Sequence, residues 1–274
     1  MVPISFEFYP PKTDEQRAQL DKTAARLKAK APEYVSVTFG AGGSTLSHTP
    51  EAVQRLHSEH GFQAAPHITC MGGSREEIRS LLKLYRALGA RRLVALRGDL
   101  PSGMVKAGEL RYAEELVSFI REETGEHFHI EVAAYPETHP QARDALSDLD
   151  HFVRKVRAGA NGAITQYFYN ADAYFRFIDD LRARGVDIPV VPGVMPIANF
   201  SQIRRFSELC GAEIPRWMAQ RMQAFGDDVH SIREFAADAV AHLCRRLIEG
   251  GAPGLHFYTL NLSRPTLSVL DRLA

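Results

Sequence analysis

The chain has 274 residues, which suits one (β/α)₈ domain, typically about 250 residues, and leaves room for a large core. Lysine plus arginine (33) balances aspartate plus glutamate (33), so no electrostatic case exists for nucleic acid or an anionic membrane as partner. No apolar run approaches the roughly 18 residues of a membrane span, no signal peptide is visible, and Cys70, Cys210 and Cys244 suggest neither a disulfide framework nor a metal site, so a cytoplasmic protein is expected.

The first apolar run, 4–8, reads as a strand, and Thr13-x-x-Gln16 caps the helix that follows. A second strand over 34–40 leads to Thr49-Pro50, a capping hydroxyl before a first-turn proline. After a third strand over 66–70, Ser74-x-x-Glu77 opens a helix. Its Ile78, Leu81, Leu82, Tyr85 and Leu88 share a face, and Gly89 stops it. Further strands fall at 93–98, 130–135, 163–169, 188–195 and 255–260, and helices at about 110–124, 148–159, 171–185, 199–211 and 231–249. Strands alternating with helices through short links predict parallel pairing by right-handed crossovers. The fold expected is α/β: a (β/α)₈ TIM barrel, a single domain over 1–274, with an additional helix around Trp217 between strands seven and eight. An open doubly wound sheet would carry a glycine loop after its first strand. Here Tyr9-Pro10-Pro11-Lys12 stands in that place, and Gly40-Ala-Gly-Gly-Ser44 is an incomplete fingerprint in the wrong position.

Barrel enzymes assemble their sites at the downstream strand edge, where this chain carries Glu7, Thr38, His67, Arg97 with Asp99, Tyr135 and Gln166. Period-two alternation turns Phe6 and Phe8 outward and Ser5 and Glu7 inward. A carboxyl among apolar walls resists ionisation and can donate a proton near neutral pH; a structural ion pair with a neighbouring Arg or Lys is the plainer alternative. Arg97-Gly98-Asp99 places a cation, an unhindered backbone and a carboxylate within one turn, suited to the edge of a polar heterocycle or to bracing a loop. His67 and His139 gain interest from lying at the downstream edge. His127 and His129, at the upstream start of a strand, and His57 and His60, near a surface helix, read as structural. Asp148, His151, Arg154 and Lys155 form one polar helix face, an ordinary solvated surface unless a nucleotide tail lies on it. Nucleophile elbow, Walker loop, metal-ligand cluster and strand-end lysine are all missing, which favours chemistry carried by a bound cofactor.

Taken in order, Ser-Phe-Glu7-Phe-Tyr-Pro-Pro, Val-Ser-Val-Thr38-Phe-Gly-Ala41-Gly, Pro-His67-Ile-Thr-Cys and Leu-Arg97-Gly-Asp99-Leu-Pro resemble methylenetetrahydrofolate reductase of the bacterial single-domain type. The resemblance continues through Ala-Tyr135-Pro-Glu-Thr-His139-Pro, Ala-Ile-Thr-Gln166, Pro-Gly193-Val-Met-Pro and His256-Phe-Tyr-Thr-Leu-Asn261, nearly the whole chain. It implies a flavoprotein oxidoreductase of one-carbon metabolism and methionine biosynthesis. Such an enzyme reduces 5,10-methylenetetrahydrofolate to 5-methyltetrahydrofolate by ping-pong hydride transfer from NADH (or NADPH) through FAD.

By the same resemblance Glu7 is the general acid and Asp99 shapes the charge around flavin and folate. FAD would be held by Thr38, Phe39, Ala41, His67, Arg97, Gly98, Asp99, Ala113, Tyr135, His139, Ala142, Asp148, His151, Arg154 and Lys155. Gln166, Gln202 and Phe206 would meet the substrates. Many members carry arginine directly after Thr-Leu-Asn; here Leu262 stands there, and Arg264 is the expected substitute. Tetramers are common among members, so a homo-oligomer is expected. So is a barrel without the regulatory domain of eukaryotic members, hence no inhibition by S-adenosylmethionine. Two other classes compete: a cofactor-free barrel lyase or aldolase using Glu7 and Asp99, and a non-catalytic flavin- or folate-binding relative.

Overall fold

The computed structural model describes residues 2–39, 48–70, 73–98 and 108–273. Its strands are β1 (Ile4–Phe8), β2 (Tyr34–Val37), β3 (Ala64–Thr69), β4 (Arg92–Leu96), β5 (His129–Ala134), β6 (Gly162–Thr165), β7 (Val190–Val191), β8 (Gly193–Val194) and β9 (Leu255–Tyr258). They run in the order β7-β6-β5-β4-β3-β2-β1-β9-β8, every pair parallel. This is the expected (β/α)₈ TIM barrel, nearly closed.

The expected seventh strand is not continuous. Pro192, which has no N–H for a ladder, separates β7, paired with β6, from β8, paired with β9. Its carbonyl instead accepts the His256 N–H at 3.0 Å. The wall turns at that proline, and Gly193 lets it close. A Cβ there would lie 2.2 Å from the Thr165 carbonyl oxygen and 2.6 Å from the Tyr258 ring. Other strands end sooner than the apolar runs suggest. β2 stops at Val37 and β6 at Thr165, leaving Thr38 and Gln166 just beyond their strands at the barrel mouth.

Helices wrap the outside: α1 (Asp14–Lys28), α2 (His48–Ser58), α3 (Arg75–Ala87), α4 (Ala113–Thr124), α5 (Ala145–Arg157), α6 (Ala171–Ala183), α7 (Phe200–Cys210), α8 (Arg216–Ala224), α9 (Val229–Glu249) and α10 (Ser263–Leu270). The Thr13 hydroxyl accepts from the Gln16 N–H, and Ser74 and Glu77 form the expected reciprocal cap. Thr49 does not cap α2. It lies inside the first turn, fully buried, and its hydroxyl donates to the Thr38 carbonyl at 3.1 Å, tying α2 to the end of β2. Helix α8 is the additional helix around Trp217. Helix α5 begins at Ala145 rather than 148, because Asp144 and Ser147 make a capping box that the apolar pattern does not reveal.

The two faces of the strands differ. Phe6 and Phe8 point outward into the helix layer, where Phe6 meets Phe257 and Phe8 meets Phe62, with centroids 6.1 and 6.5 Å apart. The inward residues are more polar: Ser5, Ser36, His67, Glu131 and His256 are all buried. Toward the upstream end Glu131 is held by the Tyr34 hydroxyl at 2.6 Å and by Arg92, whose guanidinium also lies 4.2 Å from the Tyr34 ring centroid. Satisfying that carboxylate from both sides is what permits its burial. The plug leaves the downstream mouth as the accessible end.

Candidate active site

At the mouth, β1 presents Glu7 with its side chain 19% exposed. Its neighbours are histidines: Glu7 Oε2 lies 3.5 Å from His67 Nε2 and 3.9 Å from His256 Nε2. Apolar side chains, Val94, Leu96, Ile164 and Phe206 among them, line the chamber around this carboxyl as expected, and no Arg or Lys pairs with it among the described residues. His256 is fixed from behind, Nδ1 to the Ser5 hydroxyl at 2.7 Å and Nε2 to the Ser36 hydroxyl at 3.4 Å. Burial holds the imidazole of His67 below the usual histidine value, against the pull of Glu7. Its Nε2 makes no hydrogen bond among the described residues and faces the mouth beside Glu7. Tyr258 is driven well above the usual phenol value by burial and then by Glu7, and its hydroxyl donates to the Thr165 carbonyl at 2.6 Å.

Two chambers open from this floor. One, of about 450 Å³, lies over the barrel axis and is lined by Glu7, Thr38, Phe39, His67, Gln166 and Phe206 among others. The second, of about 650 Å³, runs outward past β4 and β5 between α4 and α5. Its walls include Arg97, Gly98, Ala113, Tyr135, His139, Ala142, Asp148, His151 and Lys155. Leu96, Ala133 and Tyr135 belong to both, so the two chambers adjoin in one cleft region at the barrel mouth. Each is of the size usual for a small-molecule or cofactor site.

The outer chamber owes its shape to local chain features. Gly98 has φ +82°, and a Cβ there would lie 2.9 Å from Thr69 Cβ, so glycine keeps the backbone of this wall bare. The box at Asp144 starts α5 where Asp148, His151 and Lys155, at i, i+3 and i+7, look into the cleft. Asp148 accepts the His139 N–H at 2.8 Å and anchors the loop after β5. Tyr112 stacks on His151, centroids 6.2 Å apart at 29°. Burial lowers the Lys155 ammonium to about 8, opposed by Asp148 and Glu114, while its Nζ donates to the Ala133 carbonyl at 2.5 Å. With the Ala133 carbonyl as its hydrogen-bond acceptor among the described residues, an ammonium so desolvated favours an anion in the cleft.

Some expected residues lie elsewhere. Arg154, on α5, is exposed 3.5 Å from Glu114 and is not a wall residue. Gln202, one turn before Phe206 on α7, is exposed; that helix turns Phe206, Leu209 and Cys210 to the chamber instead. Arg264 is exposed on α10 and lines neither chamber. Ala41 and Asp99 lie outside the described residues. The walls also include Tyr112, Gln141 and Cys210, outside the matched stretches, and Met195, Tyr258 and Leu260, which lie within them without an assigned role. Period two from His256 was the available signal for Tyr258.

The family model for methylenetetrahydrofolate reductase matches residues 1–274. The 5,10-methylenetetrahydrofolate reductase of Escherichia coli K12 is 38% identical over 272 residues, 99% of this chain and 90% of that protein. Methylenetetrahydrofolate reductase (NADH) 1 of Arabidopsis thaliana is 34% identical over 98% of this chain and 48% of its own length. Among solved structures, a Clostridium thermocellum protein described as binding two copies of 5-methyl-5,6,7,8-tetrahydrofolic acid superimposes with a TM-score of 0.65. It is 14% identical and covers 99% of this chain and 94% of its own, a likeness of fold. With the family model spanning the whole chain and the E. coli enzyme matching almost end to end, the chain belongs to the methylenetetrahydrofolate reductase family.

Proposed function

We propose that this chain reduces 5,10-methylenetetrahydrofolate to 5-methyltetrahydrofolate with a hydride taken from a reduced nicotinamide and relayed through FAD. One observation carries the proposal. The chamber floored by Glu7 and walled by Gln166 and Phe206 adjoins a larger one, lined by Lys155, Arg97 and His151, along Leu96, Ala133 and Tyr135. That adjacency suits a long cofactor whose reactive ring shares the inner chamber with a flat substrate. The residues fit FAD: the Nε2 of His67 is a buried polar atom wanting a partner, Gly98 permits close approach, and Lys155 favours an anion.

Bound there, FAD would supply a two-electron carrier that accepts hydride from the nicotinamide and gives it to the folate. The chain's own residues do the rest. Lys155, His151 and Arg97 hold the charged tail, with Asp148 organising the loop that carries His139. Gln166 offers an amide to the edge of the folate or nicotinamide, and Phe206 offers a ring face. Glu7 gives a proton to the folate ring nitrogen that departs from the methylene carbon. That leaves an iminium carbon ready for hydride, and Asp99, adjacent in sequence to the Gly98 wall, favours that cation. His67 and His256 then bear on the charge left on Glu7.

NADH is the reductant we favour, the nucleotide in the name of the Arabidopsis relative. The free thiols of Cys70, Cys210 and Cys244 agree with a reducing, cytoplasmic setting. A homo-oligomer belongs to the same reading and is read by light scattering. Among the described residues, no helix is long and apolar enough to cross a membrane. Anaerobic mixing tests the whole: the protein loaded with FAD should bleach with NADH and recover its colour with methylenetetrahydrofolate. Failure to bind FAD, or recovery with oxygen but not with the folate, would overturn the proposal.

A further inference from the structure

We propose that Asn261 is a positioning residue for Glu7, acting through the backbone that follows it; this rests on the role given to Glu7 above. Regular pairing between β1 and β9 ends where Glu7 faces Tyr258. Beyond that point the β9 chain turns away sharply: Leu260 and Asn261 are consecutive non-glycine residues with φ of +49° and +54°. Asparagine tolerates this region; leucine does so at a strain that neighbouring contacts must hold in place.

Those contacts converge on β1. The Thr259 hydroxyl donates to the Glu7 carbonyl at 2.5 Å. Asn261 is 1% exposed, and its carboxamide bonds both backbone groups of Tyr9, Oδ1 accepting the N–H at 3.1 Å and Nδ2 donating to the carbonyl at 2.9 Å. A side chain thus does for Tyr9 what a neighbouring strand would do. Asn261 is gripped in turn from α1, its carbonyl accepting from Gln19 Nε2 at 3.0 Å and from the Thr23 hydroxyl at 2.8 Å. The β9 turn therefore holds β1 at the Glu7 carbonyl and again two residues on, at Tyr9. The same turn sets Leu260 into the wall of the chamber that Glu7 floors.

The test is Asn261→Gly in the FAD-loaded protein. Glycine adopts φ near +54° without strain, so the substitution removes the carboxamide and leaves the turn free to form. Reduction by NADH should be unchanged. Reoxidation by methylenetetrahydrofolate should slow on the order of 10- to 100-fold, the scale for a reacting group displaced by up to about 1 Å. Amide exchange in the peptide containing Tyr9 should rise while peptides from β4 and β5 keep the parental pattern. Asn261→Asp retains the acceptor for the Tyr9 N–H but sets a negative oxygen against its carbonyl, and should be no better. A parental folate rate in Asn261→Gly overturns the proposal. So does an equal loss in both half-reactions with exchange raised throughout, which marks general support of the fold. If the parent itself lacks the folate step, the functional reading fails, and exchange at Tyr9 still decides whether the clamp exists.

Discussion

Lys155→Met should stabilise the cofactor-free protein and weaken the cofactor, two effects of opposite sign from one residue. Burial brings the Lys155 ammonium from 10.5 to about 8, which puts the charged form on the order of 3 kcal/mol less favourable in the folded protein than in the unfolded chain. The folded value lies below the unfolded one. Between about pH 8 and 10.5, therefore, the unfolded chain carries a proton that the folded protein lacks, and stability rises with pH. Below pH 8 both forms are protonated and the whole penalty is present. Methionine fills a similar volume without charge, so at pH 7 the flavin-free variant should melt several degrees higher, each kcal/mol being worth roughly 2–4 °C in a protein of this size. The same change removes a charge-assisted contact to the cofactor's phosphates, of roughly 1.5–3 kcal/mol, so FAD affinity should fall about 10- to 100-fold. In the parent, affinity should decline above about pH 8 as the amine loses its proton; the variant should show no such decline. Calorimetry of the stripped proteins and fluorescence titration with FAD read both quantities. A lower melting temperature in the variant, or unchanged FAD affinity, would refute the reasoning.

Burial also holds His67 and His129 below the usual histidine value. The unfolded chain then takes up protons first as the pH falls past about 6.5, so the urea midpoint should drop between pH 7.5 and 5.5; a flat profile would contradict this. Gly193→Ala drives a Cβ to 2.2 Å from the Thr165 carbonyl oxygen. It should destabilise by at least the upper end of the 1–3 kcal/mol typical of overpacking, measured by denaturant unfolding; a cost under about 1 kcal/mol would show that the wall gives way easily. Tyr258→Phe deletes the bond to the Thr165 carbonyl and should cost about 1–2 kcal/mol, with flavin reduction by NADH retained.

Much of this barrel was legible because periodicity and capping are local. Thr13 and Ser74 start helices for reasons contained within four residues, and the runs at 4–8 and 255–260 mark real strands. What escaped depends on the tertiary setting. Pro192 splits the seventh strand because the wall must turn between β6 and β9, and no period reports that. Thr49 resembles a cap, yet the nearby end of β2 offers its hydroxyl a better acceptor. The site divides along the same line. Glu7, His67 and Gln166 were readable from strand-end position, and the family pattern added the face of α5. That His67 and His256 flank Glu7 was not readable, since it depends on strands far apart in sequence; Ser5 and His256 meet across 251 residues of chain. Nor could Arg154 and Gln202 be separated from the wall residues by helical spacing, because Arg154 is next to Lys155 on α5 and Gln202 is one turn before Phe206 on α7.

The central claim is that Glu7 supplies the proton of the folate step and takes no part in hydride transfer from the nicotinamide to the cofactor, and Glu7→Gln tests it most directly. Glutamine keeps the shape and the contacts near His67 and His256 but has no proton to give. With FAD bound, anaerobic bleaching by NADH should proceed at the parental rate, and reoxidation by methylenetetrahydrofolate should fall by at least the 10²–10⁴ typical of a lost general acid. Parental rates in both half-reactions would contradict the account.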